Sequence, residues 1–101
     1  MNHAWVYILT NDRRTTLYIG STAEIRKRIK IHRNKSLKGF TQRYNLFRLV
    51  YLERHSSIDI ATTRERYLKG KRREMKEALI AKINPDWHDL YYELERIKET
   101  L

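Results

Sequence analysis

The sequence contains no cysteine, one proline and three glycines among its 101 residues. Without cysteine there can be no disulfide bond, thiolate metal ligand or cysteine nucleophile, so oxygen or imidazole groups must hold any metal. There is no linker rich in glycine, proline or serine, and no zinc-binding or phosphate-loop pattern. The length predicts one domain, spanning 1–101.

Long apolar runs are also missing. The longest, such as residues 5–9, fall far short of the roughly 20 residues that a membrane-spanning helix requires. The N-terminal residues lack the basic segment, apolar stretch and small-residue cleavage site of a secretory signal. We therefore expect a soluble protein with a cytoplasmic location and no membrane partner.

Positive charge is abundant and unevenly distributed. The formal net charge is +10, and residues 1–54 carry 12 Lys and Arg against 3 Asp and Glu, whereas residues 55–101 carry 10 against 9. A basic half favours a polyanionic partner, and nucleic acid fits better than a membrane because no segment joins a basic face to a strongly apolar one. The candidate nucleic-acid-binding residues are Arg26, Lys27, Lys30, Arg33, Lys35, Lys38 and Arg43.

Two segments near the N-terminus predict a β-hairpin. Residues 4–10 and 15–20 are rich in β-branched and aromatic side chains, and they flank a four-residue polar cluster that suits a hairpin loop. Pairing across such a loop places Tyr7 directly opposite Tyr18. Both tyrosines then share one face of the sheet, and the alternate residues form an apolar face for the core.

The rest of the chain predicts one further strand and several helices. Ser21 followed by Glu24 has the pattern of a capping box, which predicts a helix over 22–34, and residues 46–53 predict a third strand. Further helices are predicted over 58–69, 72–83 and 86–101, the last as a docking helix. The expected fold class is α/β (α+β), with a small three-stranded sheet, mainly antiparallel or mixed, flanked by helices.

Three polar residues stand out on the predicted helices. Arg28 and His32 lie one turn apart beside an apolar stripe, and Glu65 interrupts an apolar face. Each has an ordinary explanation when taken alone: Arg28 and His32 suit a solvated basic face, and Glu65 suits an ion pair with Lys69. The two strand tyrosines likewise suit simple packing.

Taken together, these residues resemble the GIY-YIG nuclease superfamily. The matching motifs are Val6-Tyr7-Ile8, Tyr18-Ile19-Gly20, Arg28, His32, Glu65 and Asn84. The chain is similar to small stand-alone bacterial members over nearly its full length. Val6 replaces the first glycine of the family name. The resemblance implies a GIY-YIG nuclease-like fold with additional C-terminal helices.

The resemblance also implies a role for each residue. Tyr7 would act as or assist the general base, and Tyr18 would bind the phosphate or the nucleophilic water. Arg28 would stabilise the phosphate, while His32 would position the water or the leaving group. Glu65 would bind a single Mg²⁺ or Mn²⁺, because one carboxylate with several waters suits these ions.

Two further residues have supporting roles, and the proposed role of Tyr7 sets a condition on its pKa. Gly20 would permit close approach of the substrate. Asn84 matches a family asparagine, although asparagine before proline is also a turn signal. A phenol is a poor base at its ordinary pKa of about 10, so Arg28 and the metal are expected to lower the pKa of Tyr7.

The expected function is metal-dependent endonuclease activity on phosphodiester bonds, with DNA favoured over RNA. Because no second module reads bases, recognition of DNA structure or damage, as in DNA repair, recombination or processing, is favoured over recognition of sequence. One alternative is a catalytically silent nucleic-acid-binding module on a nuclease scaffold. A protein-interaction domain that docks through residues 87–101 is less favoured, because core packing already explains their apolar stripe.

Overall fold

The structure of the protein, a computed structural model, describes residues 3–34 and 45–94. Its elements are β1 (Ala4–Thr10), β2 (Leu17–Thr22), α1 (Ile25–Arg33), β3 (Arg48–His55), α2 (Ile58–Lys69), α3 (Arg73–Ile83) and a 3-10 helix (Leu90–Tyr92). Strand β1 lies in the centre of the sheet and pairs with β2 and β3, both antiparallel. The predicted fold class is therefore confirmed, and the sheet is antiparallel rather than mixed.

Strand β1 is buried along its whole length. Because side chains alternate along a strand, it supplies two separate cores. Its even-numbered residues pack with α2 and α3 in a cluster that includes Val6, Ile8 and Leu68. Its odd-numbered residues pack with α1 in a cluster that includes Tyr7 and Ile29. The sheet thus lies between two helical layers, and Tyr7 lies in the layer formed with α1.

The register of the hairpin differs from the prediction. Tyr7 lies opposite Gly20, and Tyr18 lies opposite Leu9, so the predicted direct pairing of the two tyrosines is wrong. The strands are shifted by two residues relative to that prediction. A shift of two residues leaves every side chain on its predicted face, because the side-chain period of a strand is two. The tyrosines therefore share one face as diagonal neighbours.

The Asn11 side chain explains the longer loop. Its Oδ1 accepts hydrogen bonds from the backbone N–H groups of Thr15 (2.9 Å) and Thr16 (3.3 Å). Thr10 Oγ1 donates to the carbonyl of Thr16 (2.8 Å), and Arg14 adopts a positive φ of 58°. These bonds hold Thr15 and Thr16 in the loop, which runs over the six residues 11–16 instead of four.

Helix α1 begins later than the capping-box pattern predicts. The helix starts at Ile25, and its N-cap Glu24 makes no side-chain capping bond. Ser21 belongs to β2, and its hydroxyl donates to Glu65 instead. The N–H group of Glu24 donates to Thr22 Oγ1 (3.0 Å), so Thr22 orients the backbone that enters α1.

Helix α2 has the predicted bounds. Ser57 caps it by accepting a hydrogen bond from the N–H group of Ile60 (3.2 Å), and Gly70 is its C-cap. Strand β3 begins and ends two residues later than predicted, and α3 begins one residue later. No helix in the described ranges is long and apolar enough to cross a membrane.

The helix predicted from Asp86 does not begin there. The N–H group of Trp87 donates to the carbonyl of Asn84 (3.0 Å) in a turn that includes Pro85, and Trp87 has a φ of 56°. Regular structure resumes only with the 3-10 helix. Residues 95–101, the rest of the predicted docking helix, lie outside the described ranges.

Candidate active site

Three aromatic side chains from three different elements form a cluster in which Tyr7 and His32 are buried and Tyr18 is half-buried. Tyr7 of β1, Tyr18 of β2 and His32 of α1 have ring centroids separated by 6.3 Å (Tyr7 to Tyr18), 5.8 Å (Tyr7 to His32) and 5.5 Å (Tyr18 to His32). Tyr7 is 2% exposed and His32 is 4% exposed. The Tyr7 hydroxyl and His32 Nε2 are hydrogen-bonded at 3.1 Å. We call these three residues the Tyr-His cluster.

Gly20 makes room for the Tyr7 ring. A Cβ atom at position 20 would lie 2.5 Å from Cζ of Tyr7, well inside van der Waals contact. Because Tyr7 is buried, its ring could move away only if the side chains packed around it also shifted. The expected role of Gly20 in admitting substrate is therefore not supported, because Tyr7 itself fills the space above that glycine.

Burial sets the protonation states in the cluster. It raises the pKa of Tyr7 well above the ordinary value of 10.0, the neighbouring Tyr18 raises that pKa further, and Arg28 lowers it only in part. Arg28 therefore lowers the pKa of Tyr7 as expected, but in the protein without a bound metal burial outweighs it. Burial, with Arg28 second, lowers the pKa of His32 below 6.5. Both groups are neutral at pH 7.

Arg28 lies on α1, one turn before His32. Its charge acts on both Tyr7 and His32, so it lies within electrostatic range of the Tyr-His cluster. None of the ion pairs within residues 3–34 and 45–94 involves Arg28. A half-buried guanidinium without a carboxylate partner is suited to bind an anion such as a phosphate.

Glu65 reaches from α2 to the edge strand β2. One carboxylate oxygen accepts a hydrogen bond from the Ser21 hydroxyl, and the other pairs with Lys69 Nζ at 2.7 Å. The ordinary ion pair considered above is therefore present. Glu65 also raises the pKa of Tyr7, which places its charge within electrostatic range of the Tyr-His cluster.

Ser21 is a site residue that sequence reasoning missed. The capping-box pattern assigned its hydroxyl to α1, whereas the alternation of side chains along β2 turns the hydroxyl towards α2. The signal that could have located it is the strand period: Ser21 has the opposite parity to Tyr18, so it must face the layer that contains Glu65.

Glu65 offers a limited set of ligands for a metal. In the part of the chain that the structure describes, no three His, Cys, Asp or Glu side chains cluster closely enough to hold a metal ion. The donors at this point are one carboxylate and the Ser21 hydroxyl, both oxygen ligands. Oxygen donors in small number fit Mg²⁺ or Mn²⁺, which keep most of their water, and the Lys69 ammonium shows that the carboxylate accepts a cation here.

Asn84 has a structural position at the end of α3. It is 4% exposed, and its side-chain NH₂ group donates to the carbonyls of Val50 (3.0 Å) and His88 (2.8 Å). Its Oδ1 accepts from the N–H group of His88 (3.0 Å). These bonds fasten the turn after α3 to β3, and none of them reaches the Tyr-His cluster.

Arg33 is likewise engaged within the protein. Its Nη1 pairs with Asp89 Oδ2 at 2.6 Å and donates to the carbonyl of Phe47 (3.2 Å). The guanidinium also lies over the Tyr91 ring at 4.2 Å. Arg33 therefore joins α1 to the C-terminal segment, which leaves it poorly placed for the nucleic-acid contact expected of it.

The other predicted basic residues divide into two groups. Lys27 and Lys30 are exposed on α1, and Arg26 is half-buried, with an Nη1 atom that has no hydrogen-bond partner among the described residues. The remaining candidates, Lys35, Lys38 and Arg43, lie outside the described ranges.

The family follows from a comparison with known domains. Residues 3–78 match the model of the GIY-YIG catalytic domain, and the chain therefore belongs to the GIY-YIG family. The match includes Tyr7, Tyr18, Arg28, His32 and Glu65 and ends before Asn84. The resemblance noted in the sequence is confirmed, and membership places the chain in a family of nucleases that act on nucleic acids.

Two particular relatives share this fold and length. The chain is 32% identical over 93 residues to a UPF0213 protein of Streptococcus pneumoniae serotype 4, across 91% of this chain and 92% of the relative. It is also similar to the solution NMR structure of a UPF0213 protein from Bacillus halodurans, with a TM-score of 0.55 and 28% identity. That similarity covers 86% of this chain and 92% of the solved one.

Proposed function

We propose that the protein is a metal-dependent endonuclease that hydrolyses phosphodiester bonds in DNA. The observation that carries this proposal is the buried hydrogen bond between the Tyr7 hydroxyl and His32, with the Arg28 charge beside it. Two tyrosines that only pack need no imidazole at hydrogen-bond distance. A nuclease needs a group that removes a proton from water and a cation at the phosphate.

The Tyr-His cluster can serve as a proton relay. Because His32 is neutral, we assign its proton to Nδ1, so that Nε2 accepts the Tyr7 hydroxyl proton. A water attacking phosphorus gives a proton to the Tyr7 oxygen while Tyr7 passes its own proton to Nε2. The water oxygen bonds to phosphorus, and the bond to the leaving oxygen breaks with its electron pair going to that oxygen, which takes up a proton from solvent. Tyr7 stays neutral throughout, so its raised pKa is no obstacle.

Arg28 and Tyr18 complete the anion-binding part of the site. Arg28 is suited to stabilise the phosphoryl oxygens, where negative charge develops in the transition state. Tyr18 is less buried than Tyr7 and lies on the edge strand, so its hydroxyl is well placed to bind the phosphate, or to hold the water that gives its proton to Tyr7. Binding by both would orient the phosphodiester against the Tyr7 oxygen.

Glu65, with Ser21 beside it, would hold a hydrated Mg²⁺ or Mn²⁺. A bound ion would supply positive charge at the phosphoryl oxygens and the leaving oxygen. The role of this chain is to keep the carboxylate fixed, and the Ser21 hydroxyl does so from β2. Lys69 must release or share the carboxylate when the ion binds.

DNA in a branched or damaged form is the proposed substrate. The exposed Lys27 and Lys30 of α1 suit phosphate contacts, which position a protein on DNA without reading sequence. Selection would then depend on the shape of the DNA, as in repair, recombination or processing. We propose that the protein works in the cytoplasm, where such substrates arise in a bacterium.

Nicking of supercoiled and branched DNA with Mg²⁺, Mn²⁺ or EDTA tests this function. We expect nicking with either metal, none with EDTA, and a loss of roughly 100-fold or more in Glu65→Ala. Glu77→Ala is the matched control, because Glu77 forms an equivalent i, i+4 pair with Arg73 on α3. Equal nicking by Glu65→Ala and Glu77→Ala contradicts the mechanism.

A second candidate is a catalytically silent nucleic-acid-binding module. The observation that favours it is the Glu65 carboxylate, both oxygens of which already have partners in Ser21 and Lys69. Salt-sensitive DNA binding with no cleavage under any divalent metal supports this candidate over the enzyme.

A further inference from the structure

A groove of about 530 Å³ lies along the flank of α2 that faces away from Glu65. Its lining residues are His55, Asp59, Ile60, Thr63, Arg64 and Tyr67. On a helix with 100° per residue, Tyr67 is turned 200° from Glu65, so the groove is separate from the candidate active site. A volume of this size accommodates a small organic ligand.

Apolar and aromatic surface in this groove is exposed to solvent. Ile60 is 50% exposed and Tyr67 is 47% exposed. Two cations lie over the Tyr67 ring: Lys71 Nζ at 4.4 Å and Arg64 Cζ at 5.6 Å from its centroid. Arg64 is held in place by Glu53 (2.8 Å), so one wall of the groove is fixed. A ring that is about half exposed and also makes cation–π contacts is the kind of surface on which proteins stack nucleobases.

The corner between α2 and α3 carries a surplus of positive charge. Residues 64–76 include seven Lys and Arg against two Asp and Glu. Three of the seven, Arg64, Lys69 and Arg73, are engaged in ion pairs. Within the described ranges, no ion pair involves the other four, Arg66, Lys71, Arg72 and Lys76. Of these four, Lys71 lies over the Tyr67 ring that lines the groove, and Arg72 follows it in the chain, so positive charge at the mouth of the groove can bind an anionic ligand.

We infer that this groove binds an unpaired nucleotide of a single-stranded nucleic acid, with its base stacked on Tyr67 beside Ile60 and its phosphates on Lys71 and Arg72. Bases within a duplex present only their edges, so a stacking platform selects single strands or extruded nucleotides. Asp59 and Thr63 supply hydrogen-bonding groups for the edge of the base. Binding here is separate from cleavage and does not depend on the proposed nuclease function.

Fluorescence anisotropy in EDTA, where no cleavage interferes, tests this inference with the full chain. The probes are a labelled single strand of about 12 nucleotides and a duplex hairpin with the same number of phosphates. We expect Tyr67→Ala to weaken single-strand binding by roughly 5- to 100-fold and duplex binding by less than about twofold. Tyr67→Phe keeps the ring and should bind as the wild type does.

Two further measurements separate stacking from other effects. A 2-aminopurine base in the single strand should be quenched by the wild type and not by Tyr67→Ala. Ile83→Ala is the control for an exposed apolar residue outside the groove, since Ile83 is 54% exposed on α3, and it should leave both affinities unchanged.

Three outcomes overturn the inference. The first is single-strand binding by Tyr67→Ala at wild-type affinity with normal 2-aminopurine quenching. The second is equal weakening of single-strand and duplex binding, which would mean that Tyr67 does not contact an unpaired base. The third is a dimeric wild-type protein that becomes monomeric in Tyr67→Ala while its nucleic-acid affinity stays the same. That result would mean that the groove binds a second copy of this chain.

Discussion

Tyr7 connects the packing of the hairpin to the proposed chemistry of the site. Its ring lies across Gly20 of the neighbouring strand, and its hydroxyl bonds to His32 of α1. The backbone of β2 therefore determines where the Tyr7 oxygen lies relative to the imidazole. Small changes at Gly20 should alter both stability and activity.

Gly20→Ala tests this connection. Because the new Cβ would overlap a fully buried ring, we expect a loss of about 1–3 kcal/mol in the free energy of unfolding and a large loss of nicking. Gly70→Ala is the control, since its Cβ would meet nothing closer than 3.6 Å, and it should be neutral or stabilising by up to about 1 kcal/mol. Urea denaturation measures both, and similar stability for the two variants would contradict the overlap.

The depressed pKa of His32 gives a second prediction. NMR titration of the imidazole should give a pKa below 6.5. Arg28→Gln should raise this pKa, because the charge of Arg28 is one of the two causes that lower it. Arg28→Lys keeps the charge and should change the pKa less. A group with a depressed folded pKa contributes stability that is present above its unfolded pKa, so unfolding should become easier as pH falls below about 6.5. A His32 pKa at or above 6.5 is incompatible with the burial described.

For single residues, the sequence predicted which side chains lie together better than it predicted the surroundings of each one. Tyr7, Tyr18 and His32 do come together as the family motif implies. Arg28 lowers the pKa of Tyr7 as expected, but burial outweighs it, because motif spacing places a nearby arginine and does not reveal the depth of burial. Gly20 was expected to make room for the substrate, whereas the space above it is filled by the Tyr7 ring of the protein itself.

Among the elements, α2 was predictable because its signals are local. Ser57 and Gly70 mark its two ends and both act as caps. The hairpin register was not predictable, because it depends on the Asn11 side chain bonding two loop N–H groups. Ser21 likewise has a pattern that suits a helix cap. It bonds Glu65 instead because β2 extends past Ser21 and keeps this residue in the strand.

Asp89 links α1, β3 and the 3-10 helix, so its removal should affect more than one element. Its carboxylate pairs with Arg33 (2.6 Å) and accepts from the N–H groups of Leu49 (3.2 Å) and Tyr91 (3.1 Å). We expect Asp89→Ala to lower the free energy of unfolding by about 2–4 kcal/mol. Asp12→Ala, which breaks an exposed pair with Arg48, should cost less than about 1 kcal/mol. Equal costs in chemical denaturation would show that Asp89 is not a structural link.

For the whole molecule, two basic regions lie on different elements. One is on α1, where Lys27 and Lys30 are exposed, and the other is the corner between α2 and α3. The positive and negative charges of residues 55–101 nearly cancel, because acidic residues later in the chain offset the basic residues of the second region. The net charge of this half therefore gives no sign of that region. Sequence alone therefore predicted a nucleic-acid partner correctly at the level of the family but located only one candidate surface for it.

The Tyr-His cluster is the feature on which the proposed chemistry depends, and Tyr7→Phe isolates it by removing one hydroxyl while keeping the ring over Gly20. Tyr51→Phe is the matched control: Tyr51 is also buried, its hydroxyl donates to Glu53, and burial raises its pKa to about 12. With Mn²⁺ and supercoiled DNA, we expect Tyr7→Phe to nick at least about 100-fold more slowly than wild type, while Tyr51→Phe stays within a few-fold. Nicking by folded Tyr7→Phe at the wild-type rate would contradict the relay.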